Sequence, residues 1–282
     1  MKPNFIVIGA ARSGTTSLFQ YLDPHPEVFM SQVKELNFFS NEKYWNKGVK
    51  WYESQFAGAN QRTRSIGEAS TSYTKAPFTK DVVKRIHDYN PDMKLIYVVR
   101  DPIDRYISHY MKRVQTGIET RNFNQTLENL DNEACAWQGR YHYQIQKYLE
   151  RFPSNQLLVL SMSSMKTTPE AVMKDVYNFL GLQTQGPISG LDAVHNATHR
   201  VVRKSKAGSG ILKFYRHHIE QRRVPFRIKR LVTALGDLGG EVIEKPRLTP
   251  DQHQKLTQFF EDDSERLSSD FKIDTSSWMK NP

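Results

Sequence analysis

The chain has 282 residues, a formal net charge of +10 and a single cysteine, Cys135, which excludes an intramolecular disulfide and leaves no thiolate cluster for zinc. A hydrophobic fraction of 38% supports a substantial core, in one large α/β domain or two smaller ones. No stretch approaches the apolar length that crosses a bilayer, so the expectation is a soluble, cytoplasmic protein with Cys135 as a plain core residue.

The first element is FIVIGAARSGTTSL, Phe5 to Leu18. A β-branched apolar run passes through a small turn, Gly9 to Gly14, into a helix opened by Thr15, Thr16 and Ser17, which is the order of a strand, an anion-cradling loop and a helix N-terminus. Lys2 and the seven-residue apolar run Phe5–Ala11 faintly imitate a secretory leader, but Arg12 follows at once and cleavage there would remove the loop. The spacing nearly fits the phosphate loop G-x-x-x-x-G-K-[ST], with Thr15 in place of the lysine that reaches the outer phosphates of a triphosphate. The loop's cation is Arg12 instead. An arginine fork with two threonine hydroxyls suits a shorter anionic group, such as a phosphate carrying one further tetrahedral group.

The first helix should run from Thr15 to Tyr21 and stop at Asp23-Pro24, with a short strand at Val28 to Met30. In KELNFFS, Lys34 to Ser40, Glu35 lies between a cation and the apolar pair Phe38 and Phe39. By itself it reads as a surface ion-pair partner or as a carboxylate tuned for proton transfer. The aromatic-rich stretch Asn41 to Phe56 reads as core or groove wall. SIGEASTSY, Ser65 to Tyr73, predicts a strand entering a hydroxyl-rich loop, and Thr79 to Tyr89 an amphipathic helix.

KLIYVVR, Lys94 to Arg100, is the strongest buried-strand candidate, ended by Asp101-Pro102, which cap a helix over Ile103 to Val114. Arg100 at the strand's carboxyl end and Ser108 in the helix could converge on an anion, since open parallel sheets bind ligands beyond those ends. Arg100 could equally serve as a structural partner of Asp101 or Asp104. A helix within Gly139 to Phe152, a strand at Gln156 to Met162, a helix over Thr168 to Leu180 and a terminal helix over Leu248 to Phe271 complete the pattern. Alternation on this scale predicts an α/β fold: a single P-loop-like domain over residues 1–282 with a central, mostly parallel sheet flanked by helices.

Gly186 to Gly210 reads as a long loop. His195 and His199 within it have helical spacing but neither a glutamate partner nor a helical pattern, so no metal site is expected. Between Arg200 and Arg230 eleven Lys and Arg face one acid, Glu220, which places the entire formal excess of charge in one segment. Such a field suits a polyanionic donor, an acidic glycan, an anionic membrane surface or nucleic acid, or is simply a solvated face.

Taken together, the segments ARSGTTSL, HPEV, KELNFF, KGVKWYESQF, GEASTSY, LIYVVRDPIDRYISHY and LERFPSNQLLVL, in this order, resemble the sulfotransferases that use 3′-phosphoadenosine-5′-phosphosulfate (PAPS), in particular the heparan-sulfate type and its bacterial relatives. The resemblance implies sulfuryl transfer from PAPS to a hydroxyl or amine of an acceptor, a carbohydrate by preference, with adenosine 3′,5′-bisphosphate (PAP) leaving. No metal and no nucleic acid are implied. It assigns the 5′-phosphosulfate to Arg12, Ser13, Gly14, Thr15, Thr16 and Ser17, the 3′-phosphate to Arg100 and Ser108, and the role of general base to Glu35, with charge on the departing oxygen met by Arg12. Arg203 and Lys204 correspond to a late basic loop over the nucleotide, making 186–247 a basic loop and helical region that contributes to nucleotide and acceptor binding. Three positions depart from the pattern. Arg12 and Ala69 stand where lysines are usual and Gln144 where a histidine often occurs, so heparan sulfate itself is not carried over as the acceptor. The competing readings are a P-loop kinase or NTPase, for which Asp101 is the nearest Mg²⁺ ligand, and a non-catalytic basic module for nucleic acid or anionic membrane.

Overall fold

The computed structural model describes residues 2–183, 200–203, 205, 208, 210 and 239–280. Strand β1 (Phe5–Gly9) is wholly buried. Phe5 and Val7 enter one apolar layer with Leu18, Ile96, Val98 and Val176, whereas Ile6 and Ile8 enter the other with Phe38, Tyr52, Leu95, Tyr97 and Val99. Burial on both faces is why this strand reads as a continuous apolar run. It leads into α1 (Thr15–Leu22) and then β2 (Val28–Met30). Two short helices, α2 (Glu42–Trp45) and α3 (Gly48–Ser54), carry the aromatic stretch, whose Tyr52 stacks on Phe38 at 4.6 Å. β3 (Ser65–Ala69) follows, then α4 (Val82–Tyr89), which begins after the expected Thr79 because Asp81 sits in the left-handed region at φ 61°.

β4 (Lys94–Val99) ends one residue before Arg100, and α5 (Pro102–Gln115) starts on Asp101, whose side chain accepts from the Asp104 N–H at 3.0 Å. The short helices α6 (Phe123–Leu127) and α7 (Ala134–Trp137) precede α8 (Tyr141–Leu149), β5 (Leu157–Ser161), α9 (Met162–Thr167) and α10 (Pro169–Leu180). All neighbouring pairs in the five-stranded sheet are parallel, in the order β2-β3-β1-β4-β5. The chain builds leftward from β1 and then crosses to β4, so the order reverses between these two strands. Their carboxyl ends open on one crevice, the position where such sheets hold ligands.

The expected loop from Gly186 to Gly210 is corrected where the structure describes it. Arg200–Arg203 is a strand, β6, paired antiparallel with β7 (Glu241–Glu244), and Val201 is buried in the cluster formed by α5, α6 and the C-terminal helix α11 (Pro250–Phe271). Thr249 and Gln252 form a reciprocal cap at the start of α11. His195, His199, Lys204 and most of the basic segment lie outside the described residues. Cys135 is a buried free thiol.

Candidate active site

The turn after β1 presents backbone to the crevice. Ala10 donates to the Val98 carbonyl at 2.8 Å, and Ser13 donates to that of Ala10 at 3.2 Å, which winds the loop tightly against β4. Gly14, at φ 93°, occupies the N-cap of α1, a left-handed position that favours glycine and brings no side-chain acceptor to the first turn. The N–H groups of Thr15, Thr16 and Ser17 are therefore the ones a helix offers to an anion. Thr15 is buried, Thr16 exposed and Ser17 half-buried, while Ser13 lies fully buried beneath the loop.

The two anion-binding segments meet. Arg12, itself left-handed at φ 70°, turns its Nε to the hydroxyl of Ser108 on α5 at 3.0 Å, and Arg100 Nη1 donates to the Arg12 carbonyl at 3.4 Å. Burial first, and then the charge of Arg100, hold the Arg12 guanidinium below its usual range. Two cations pressed together in a partly desolvated crevice favour an anion between them. Arg100 also pairs with Asp104 at 3.0 Å, the structural partnership left open by the sequence, and Asp104 reaches Lys245 at 3.2 Å.

Glu35 stands on the other side of the loop. Its N–H joins the Ala69 carbonyl at 2.9 Å, continuing the sheet beyond β3, and its carboxylate accepts from the Thr71 N–H at 2.9 Å and the Thr71 hydroxyl at 3.1 Å. Lys34 Nζ lies 2.8 Å from Glu35 Oε1 and 3.4 Å from the Thr15 hydroxyl. Both Glu35 and Asn37 are left-handed, and Asn37 fixes the turn by donating its Nδ2 to the Glu35 carbonyl at 2.7 Å and its N–H to Ser70 Oγ at 2.9 Å. Phe38 and Phe39, the apolar neighbours in sequence, are sunk in the core below.

Sequence reasoning did not single out the second carboxylate. Glu68, fully buried on β3, accepts from Ser70 at 2.5 Å, Tyr73 at 2.7 Å and Tyr52 at 3.2 Å, and burial lifts its pKa to about 7 against the pull of these hydroxyls. An acid inside an otherwise apolar strand is the signal that could have found it. His109 is held neutral, well below its ordinary range, by burial and then by Arg105 and Arg113. Burial likewise lowers Lys75, which is electrostatically coupled to Glu35 and Arg113. Gln144, at the position of the often-found histidine, is structural: it bonds both backbone groups of Ala76, at 3.0 and 2.7 Å.

Arg203 reaches α5 and directs its two Nη groups to the protein, at Tyr110 Oη (3.2 Å) and the Thr120 and Arg121 carbonyls (3.3 Å each), so in this structure it anchors the hairpin. Asp101, the nearest Mg²⁺ ligand for a kinase, is likewise engaged: Asp104 N–H holds one oxygen at 3.0 Å and Met279 N–H the other at 2.7 Å. No metal-holding cluster of His, Cys, Asp or Glu occurs among the described residues, nor any helix long and apolar enough to cross a membrane.

A family model for the sulfotransferase domain matches residues 2–272. The chain belongs to that family. It is 31% identical over 200 residues to human bifunctional heparan sulfate N-deacetylase/N-sulfotransferase 2, a match covering 64% of this chain and 22% of that protein. Against human heparan sulfate glucosamine 3-O-sulfotransferase 5 it is 29% identical over 207 residues, covering 70% of this chain and 58% of the relative. The chain thus matches only part of these curated relatives. Among solved structures, a sulfotransferase from Alicyclobacillus acidocaldarius superposes with a TM-score of 0.68 at 25% identity, covering 99% of this chain and all of that one. Mouse sulfotransferase SULT7A1, complexed with PAP, shares the fold at TM-score 0.52 and 14% identity over 96% of this chain and 87% of that one.

Proposed function

We propose that this protein transfers the sulfuryl group of PAPS to a hydroxyl or amine of a carbohydrate acceptor. The observation that carries the reading is the meeting of Arg12, Arg100 and Ser108 beside the first turn of α1. That arrangement brings the loop after β1 and the segment after β4 together, as a nucleotide with both a 3′-phosphate and a 5′-phosphosulfate requires. Arg100 and Ser108 take the 3′-phosphate, and the Gly14–Ser17 backbone with the Thr15 and Thr16 hydroxyls takes the 5′ group. Glu35, held at the mouth of the crevice by Thr71, receives the acceptor's proton as its oxygen or nitrogen attacks sulfur. The chain's contribution is positioning and fixed charge, as in phosphoryl transfer. The carbohydrate acceptor is supported by the two heparan sulfate relatives.

Thermal unfolding with PAP, ATP and adenosine 5′-phosphate tests the donor class. PAP should raise the melting temperature far more than the other two, because only PAP fills both anion sites. Equal shifts for ATP and PAP, or Mg²⁺-dependent ATP turnover, would replace the sulfotransferase reading with a kinase.

A further inference from the structure

Arg12 is the loop's own cation, and the sequence pairs it with the 5′-phosphosulfate, yet its Nε is directed across the crevice to Ser108. Its charge therefore lies with Arg100, at the 3′ end. Another cation stands at the sulfuryl end. Lys34 comes from the turn after β2, nineteen positions beyond Thr15, and its ammonium lies 3.4 Å from the Thr15 hydroxyl at the first position of α1. The same ammonium is 2.8 Å from Glu35, with the Lys34 side chain 22% exposed and that of Glu35 36% exposed. Glu35, Lys34 and Thr15 thus form a continuous polar line from the proposed base to the helix N-terminus.

We infer that Lys34 is a catalytic residue of this enzyme, contacting the sulfuryl group between Glu35 and the Thr15 hydroxyl and supplying the positive charge that Arg12 has given to the other end. The inference rests on the sulfuryl-transfer reading above. In the step, the acceptor oxygen forms a bond to sulfur while the bond from sulfur to the bridging 5′-phosphate oxygen breaks. The electron pair of the broken bond leaves on PAP, and the acceptor's proton passes to Glu35. Lys34 stays protonated throughout, donating to the sulfuryl oxygens as their negative charge is carried past it. A lysine suits this place because a compact ammonium with three donors can bond Thr15, Glu35 and sulfuryl oxygen in different directions, where an arginine fork is planar.

Three variants test this in the full chain: Lys34→Met removes the charge, Lys34→Gln keeps a donor without charge, and Lys34→Arg restores the charge in another shape. Lys34→Met should lower kcat on the order of a hundredfold, the size of effect seen when one donor to a developing charge is lost. PAP affinity, measured by calorimetry, should stay within about twofold, because PAP carries no sulfuryl group for Lys34 to meet. Lys34→Arg should recover more of kcat than Lys34→Gln. Turnover near wild type in Lys34→Met, or a loss of PAP affinity matching the loss of kcat, would overturn the assignment. Should Lys34→Met fail to fold, the order of the Gln and Arg variants decides. If wild-type protein neither binds PAP nor transfers sulfuryl groups, the functional reading itself fails, a result distinct from any difference among variants.

Discussion

The Nε of Arg12 and the hydroxyl of Ser108, ninety-six positions apart, lie 3.0 Å from each other. One residue belongs to the turn after β1 and the other to α5 after β4. Their contact follows from two parallel neighbours ending on the same edge of the sheet. Arg100, reaching the Arg12 carbonyl from the end of β4, closes the same group.

Arg100→Ala should weaken PAP binding by roughly 2 kcal/mol, about thirtyfold, the worth of hydrogen bonds to a charged group. Adenosine 5′-phosphate, which lacks the 3′ group, should bind the variant as well as it binds wild type. Calorimetric titration of both ligands reads the difference, and equal losses for the two would remove Arg100 from the 3′-phosphate.

Glu35→Gln keeps the shape and the bonds from Thr71 but cannot accept a proton. Steady-state turnover should fall by a factor on the order of 10² to 10⁴, the usual share of a general base. PAP affinity should change little, since the Glu35 carboxylate is held by Thr71 and Lys34. Wild-type turnover in this variant would take the base role away from Glu35.

Buried Glu68 gives the fold a pH dependence of definite sign. Its pKa stands near 7 in the folded chain against an ordinary 4.5, so the folded state holds the proton more tightly. The advantage is fully present below about pH 4.5 and is lost as pH rises through 7; the shift corresponds to roughly 3 kcal/mol across that window. Glu68→Gln, which has no proton to lose, should therefore gain stability relative to wild type between pH 5 and 8. Urea unfolding of the two proteins at both pH values checks it, and parallel curves would show that Glu68 does not titrate in this range.

Gly14 tests the loop itself. A Cβ there would come only to ordinary contact, 3.4 Å from Met162 Cγ, so the cost of substitution lies in the backbone at φ 93°. Gly14→Asn, which tolerates left-handed geometry, should destabilise less than Gly14→Val, for which the penalty is of order 1–2 kcal/mol or more. Melting temperatures in that order, each with reduced PAP binding, are the expected outcome.

Much of this architecture was legible because it is local. The apolar runs of β1 and β4, the proline and aspartate opening α5 and the hydroxyls of α1 each announce themselves within a few residues. Strand β6 was read as loop because its partner, Glu241–Glu244, is four residues long and mostly exposed, with a charge at each end and no alternation to follow. Lys34 and Arg203 were harder to place for a related reason. Residue type shows what a side chain can do, while its placement depends on distant segments: Thr15 draws Lys34 toward the crevice, and Tyr110, Thr120 and Arg121 hold Arg203 on α5. Glu68 escaped notice because what makes its buried carboxyl tolerable, the hydroxyls of Ser70, Tyr73 and Tyr52, converges only in the folded chain.

Arg203 and Glu241 face each other across the β6–β7 pair. Arg203 also bonds Tyr110 of α5, the helix that carries Ser108, so the strand pair is fastened to the element that closes the crevice. Loosening that pair would therefore be felt first at α5, and through Ser108 at Arg12.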